Sequence, residues 1–142
     1  MSYAAAAALA LRLGNAYQAI YRDNEAAALE DLAQSAAEID AYLGSRYVVP
    51  VTATASRVLL EEWNLTLAEE KSYNRAGGSS IPEKVTRRVD AVRKSLRDAA
   101  SGLLRLPGAS ELGSGGAGAC GVGAALVEIE TPVMGRSRMT GY

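Results

Sequence analysis

The residue types that usually carry chemistry are sparse in this chain, and their absence narrows the field. Its 142 residues include no histidine, which removes the commonest general base and metal ligand. The single Cys120 has no partner for an internal disulfide and no histidine to activate it, so it reads as a passive small residue in a reducing compartment. Carboxylates pair at Glu61/Glu62 and Glu69/Glu70, a composition suited to acid/base work, but both pairs fall on a polar helix face where solvation explains them. Two overlapping G-x-G-x-x-G matches begin at Gly113 and Gly116. A dinucleotide fingerprint needs a preceding strand, a following helix and an acidic residue about 20 positions on, and no strand precedes either match. A phosphate-binding loop is excluded because no Gly-Lys-Ser/Thr follows. No catalytic residue, cofactor or metal is expected, and the chain is not expected to be an enzyme.

Net charge is -1, so no whole-molecule field draws the protein to nucleic acid or anionic lipid. The densest local charge is "TRRVDAVRKSLRD" over residues 86–98, which clusters Arg87, Arg88, Arg93, Lys94 and Arg97. Asp90 is placed to pair with Arg93, Lys94 or Arg87, and Asp98 with Lys94, which favours a salt-bridged solvent face. A contact face for an acidic partner subunit and a nucleic-acid surface are the alternatives. Asn64 opens an N-L-T acceptor triplet, discounted because it falls inside a helix. The apolar run over residues 4–11 is too short for the about 20 residues that span a bilayer. It has no basic residue before it, since Arg12 follows, so it reads as a short N-terminal helix and not a signal peptide or membrane contact.

The length fits one domain, and periodicity supplies its elements. Leu29, Leu32, Ala36, Ile39 and Leu43 recur at threes and fours and predict a helix over about residues 25–43, with Asn24 as N-cap and Gly44 as a C-cap free to take positive φ. Pro50 keeps "RYVVPV" extended as a connector. Leu60, Trp63 and Leu67 mark another helix from about residue 53 to residue 75, closed by a turn at "AGGSS". Ser80 and Glu83 fit an S-x-x-E capping box with Pro82 in the first turn, starting a helix through Val85, Val89, Val92, Leu96, Ala99 and Leu103 that stops before Pro107. The fold class is therefore all-α, a small bundle of about four helices.

Beyond this helical body, residues 1–107, the composition changes. Residues 108–125 are a Gly/Ala/Ser segment with little to bury and read as a flexible linker. Residues 126–142 read as an extended tail: Val127 and Ile129 alternate with Glu128 and Glu130, the period-2 mark of a short strand. Val127, Ile129, Val133, Arg136, Arg138 and Tyr142 are the candidate partner-binding residues, suited to adding a strand to another protein's sheet edge.

The remaining motif is "SAAEIDAYLGSRYVVPV", residues 35–51. Ile39 and Leu43 anchor a core helix, Gly44 ends it, Pro50 redirects the chain, and Tyr42 and Tyr47 can bury rings with their hydroxyls at the edge. Arg46 is expected to bond the carbonyls of that helix end or to pair with Asp40. Together Ile39, Asp40, Tyr42, Leu43, Arg46, Tyr47 and Pro50 resemble the signature of a family of small proteins of Mu-like and other tailed phages and prophages. The basic last helix with its Gly-Leu ending, and "GRSRMTGY" at residues 135–142, are similar to that family's final helix and its basic, Gly-aromatic end. The layout resembles head-completion or adaptor proteins, the head-tail connectors of the virion neck. That resemblance implies a structural subunit assembled in the host cytoplasm, forming a ring of about twelve copies between portal and tail. It implies as partners the portal, neck or tail proteins, and DNA passing through the lumen without sequence-specific binding. A tail-terminator or tail-completion protein, and a DNA-packaging accessory using the basic helix, are the other readings.

Overall fold

In a computed structural model the described residues, 2–77 and 80–113, form five α-helices and no strand. They are α1 (Ala6–Leu13), α2 (Asn15–Tyr21), α3 (Glu25–Leu43), α4 (Thr54–Arg75) and α5 (Glu83–Ser101). The all-α bundle is as expected, with one helix more than the four read from periodicity. The addition is α2, which Gly14 separates from α1 by turning the backbone at φ 55. Seven residues are too few for a periodic signal, and α2 is held by tertiary contact instead: Tyr21 is buried and its ring lies 4.9 Å from that of Tyr17.

α3 starts where Asn24 was expected to cap it, its side-chain oxygen accepting from the Ala27 N–H at 3.2 Å. Leu32, Ala36, Ile39 and Leu43 are fully buried along one stripe, whereas Leu29 is left half in solvent. α5 departs from expectation at both ends. Pro82 is its N-cap and Glu83 its first residue, so Ser80 lies outside the helix and no capping box forms. Glu83 pairs forward with Arg87 at 2.5 Å instead. The helix ends at Ser101 because Gly102 takes a left-handed φ of 86, five residues before Pro107.

α4 is the centre of the bundle and packs against all four other helices. Every residue from Trp63 to Glu69 is buried. One apolar cluster joins Leu60, Trp63 and Leu67 to Ile39 and Leu43 of α3 and to Val85, Val89, Val92 and Leu96 of α5. A second joins Leu65 and Ala68 to Leu9 and Leu13 of α1, Tyr21 of α2 and Ala28 and Leu32 of α3. Truncating Leu67 to Ala, at a fully buried site surrounded on all sides, is expected to cost about 2–5 kcal/mol. The urea midpoint of the full chain would show it as a shift without a change in slope.

Candidate functional site

Two polar systems stand out, one around the buried turns of α4 and the other at the corner after α3. The first overturns the solvated-face reading for the Glu69/Glu70 pair, whereas Glu62 of the other pair stays exposed. Glu69 is only 5% exposed. Its two oxygens take Arg12 Nε at 3.0 Å and an Arg88 terminal nitrogen at 3.0 Å, joining α1, α4 and α5. Arg12 also reaches Glu62 at 2.8 Å and the Thr66 hydroxyl at 3.0 Å. Glu70 takes Arg93 at 2.8 Å, and Arg93 also holds Glu38 at 3.0 Å, with Lys71 close by. Arg88 and Arg93 therefore turn inward, and Asp90 and Asp98, the expected partners within α5, form no ion pair among the described residues. What remains outward on that helix is Lys84, Arg87, Lys94 and Arg97.

A further polar knot sits where α2, α3 and α4 meet. The Tyr21 hydroxyl donates to Asp31 Oδ2 at 2.7 Å and lies 2.6 Å from the Ser72 hydroxyl, and Arg75 grips both Asp31 oxygens at 2.8 and 3.1 Å. Burial, first, and then the bond to Asp31 push the Tyr21 hydroxyl well above its ordinary value. The Asn64 amide is fully buried and satisfied when its oxygen accepts from the Tyr3 and Ala4 N–H groups at 2.9 and 3.1 Å and its nitrogen donates to the Leu32 carbonyl at 3.0 Å. An interior position of this kind has no room for a glycan.

The corner is the second system. Gly44 closes α3 in right-handed helical geometry, φ -61, and not at the positive φ expected. Glycine is needed there for space, since a Cβ would lie 2.9 Å from the Asp40 carbonyl oxygen. Ile39 and Leu43 are in the core as expected, Tyr42 is half-buried against it, and Pro50 is exposed after a cis peptide bond. Tyr47 is 1% exposed, its hydroxyl accepting from the Leu106 N–H at 3.3 Å. Arg46 does not pair with Asp40. Its guanidinium lies against Gly102 and binds Glu111 at 3.1 Å, while Asp40 accepts from the Tyr3 hydroxyl. Tyr3 in turn accepts from the Val51 N–H at 3.0 Å. Burial, first, and the bond to Asp40 raise the Tyr3 hydroxyl well above its ordinary value.

The chain that follows α5 returns over this corner. Val48 N–H donates to the Ser110 carbonyl at 2.8 Å and Leu112 N–H to the Arg46 carbonyl at 2.6 Å, with a single antiparallel bridge between Tyr47 and Glu111. Ser56 Oγ donates to the Pro107 carbonyl at 2.7 Å, fixing the same segment to the start of α4. The first residues of the glycine-rich stretch, as far as Leu112, thus lie on the body. The candidate tail residues Val127, Ile129, Val133, Arg136, Arg138 and Tyr142 lie outside the described residues.

Sequence reasoning missed Tyr3, Gly102 and Glu111 as parts of the corner. They lie far from it along the chain, and only Gly102 carried a signal, as the glycine that ends a periodic helix.

The corner can be tested through Gly102, whose φ of 86 and contact with Arg46 both oppose a side chain: a Cβ would lie 2.0 Å from a guanidinium nitrogen. Gly102→Ala is expected to cost about 1–3 kcal/mol. Adding Arg46→Ala should cost less than the sum of the single changes, as a double-mutant cycle in urea would measure. The buried tyrosines give a second test. An unfolded tyrosine loses its proton near pH 10 while folded Tyr21 and Tyr3 keep theirs, so their contribution is intact below about pH 10 and is lost as pH rises above it. Melting temperature followed from pH 8 upward should fall beyond about pH 10, and less steeply in Tyr21→Phe.

A family model described as Bacteriophage Mu, Gp36 matches residues 3–118, well over half of the chain. The match takes in all five helices, the 39–50 motif and the returning segment, and ends before the tail, so the likeness noted for residues 135–142 lies beyond it. No curated protein matches the chain. No helix among the described residues is long and apolar enough to cross a membrane.

Proposed function

The chain belongs to the Bacteriophage Mu, Gp36 family, and from this premise we propose that it is a structural virion protein: a head-tail connector, or adaptor, subunit of the neck. In this reading several copies form a ring between portal and tail, and the C-terminal tail docks on the portal. The role is structural, with no reaction at its centre. The observation that supports it most is the way the chain leaves the body. Residues 102–112 are tied to the corner and to the start of α4, so the point from which residues 114–142 continue is fixed on the body. A rigid body with a long tether allows a weak tail contact to act at high effective concentration once the body is seated, and repetition around a ring multiplies the effect.

The DNA-packaging alternative rested on the basic helix, and the geometry lowers its appeal. Arg88 and Arg93 are spent on Glu69, Glu38 and Glu70, and the outward Arg87 is paired with Glu83. The connector reading predicts no duplex DNA binding with the steep salt dependence that phosphate contacts produce. Its own test is truncation after Gly113, which keeps the corner intact. The shortened protein is expected to fold with the melting behaviour of the full chain and to fail to complete portal-containing heads. Heads completed normally by the truncated protein would overturn the tail's role.

A further inference from the structure

Between α4 and α5 lies an open groove of about 250 Å³, with Trp63, Ala91 and Val92 as an apolar floor. The charged residues of its walls, Glu62 and Arg88, are already held by Arg12 and Glu69 at 2.8 and 3.0 Å. Its two ends differ in charge. Lys84, Ala91 and Asp98 recur every seven residues, so they share the face of α5 that borders the groove. Lys84 is exposed and makes no ion pair among the described residues, which leaves a cation at one end; half-buried Asp98 stands at the other. Asp90 and Lys94 lie outside this line and are of opposite sign. An uncovered apolar floor with an unanswered cation at one end suits a helix that presents an apolar side chain with acids on one side of it only.

The start of α3 has this arrangement. Leu29 is 47% exposed. Asp23 and Glu25 before it are exposed and make no ion pair among the described residues, whereas Ala33, Gln34 and Ala37 after it are exposed and uncharged. Even with Arg22 beside them, the two acids leave this end net acidic. They precede Leu29 by roughly 6–9 Å along the axis, and Lys84 precedes Ala91 by roughly 10 Å, a difference within the reach of a lysine side chain. Leu11 of α1 is more exposed but has no acidic residue within two turns. The Leu29 face also lies away from the groove. Glu38, half a turn around α3 from Leu29, meets Arg93 of α5, while Asp40, on Leu29's own side, meets Tyr3. We propose that Leu29 of one copy seats on the Trp63–Val92 floor of a second copy, with Asp23 and Glu25 toward Lys84 and the uncharged turns toward Asp98. The reverse orientation would set both acids against Asp98. Patch and groove are different surfaces, so each copy offers its groove to one neighbour and its Leu29 face to the other, the connectivity from which rings close. The contact rests on the reading of the protein as a ring subunit.

Sedimentation of the full chain over a range of concentrations reads the contact. Asp23→Lys with Glu25→Lys in one chain, or Lys84→Glu in another, should weaken self-association at least about tenfold, because like charges then face each other. Leu29→Ser should weaken it with no charge changed. Mixing the two charge-reversed chains, or combining all three charge changes in one chain, should restore association, a rescue that misfolded variants would not give. Association unchanged by either reversal, or a reversal that neither the mixture nor the combined chain rescues, would overturn this contact and leave the ring to another interface. A chain that stays monomeric at every concentration overturns the contact as well, and the ring reading fails with it if portal-containing heads take up no more than one copy.

Discussion

The body depends on one constraint, the complete burial of the middle of α4. Across residues 63–69 this helix has no solvent face, yet it carries Asn64, Thr66 and Glu69 there. Each polar group must therefore be answered by protein, and the answers come from different directions: the N-terminal backbone for Asn64, Arg12 for Thr66, and Arg12 with Arg88 for Glu69. Removing an ion from water costs several kcal/mol, which a single exposed partner would not offset. Two guanidinium groups from opposite flanks do so, and in meeting Glu69 they restrict where α1 and α5 can lie. Apolar packing alone would allow either helix to slide by a turn; a carboxylate shared between Arg12 and Arg88 does not.

The corner after α3 applies the same logic to chain direction. Asp40 is turned toward Tyr3 and the N-terminus, Arg46 toward Gly102 and Glu111, and Tyr47 toward Leu106. Three parts of the chain distant in sequence meet at one helix end. The motif is thus a junction with its polar groups directed inward. Its consequence is positional, since it fixes residues 102–112 against the end of α3 and the start of α4.

Legibility in the sequence followed the range of the forces involved. α3 was readable nearly to the residue because its apolar stripe, the Asn24 cap and the terminal Gly44 are all local signals. α4 and α5 were readable as helices for the same reason. The start of α5 was misread because Ser80 and Glu83 have capping-box spacing while Pro82 begins the helix later. α2 was missed because seven residues give no period. The charges were least legible. Glu69 and Arg88 look like surface residues beside Glu70 and Arg87, and only the packing of α1 and α5 around α4 distinguishes them. Arg46 was expected to act locally, on the carbonyls of its helix end or on Asp40, but Glu111, 65 residues away, takes its guanidinium. The family signature was legible because its residues lie within twelve positions, and the match over residues 3–118 includes it.

The large exposed apolar residues are dispersed: Leu11 on α1, Leu29 on α3, Val58 and Leu59 on α4. Single residues of this kind are ordinary on a soluble surface and do not by themselves make an interface. Val48, Leu103 and Leu112 differ in belonging to one feature, the corner over which the chain returns after α5. A contact made at that corner and a contact made by the tail are joined by the same short stretch of chain, so each would raise the effective concentration of the other. In the proposed connector such coupling would offer a route to firm assembly without one large apolar face, and it would depend on the pairing of Arg46 and Tyr47 to hold residues 102–112 in place.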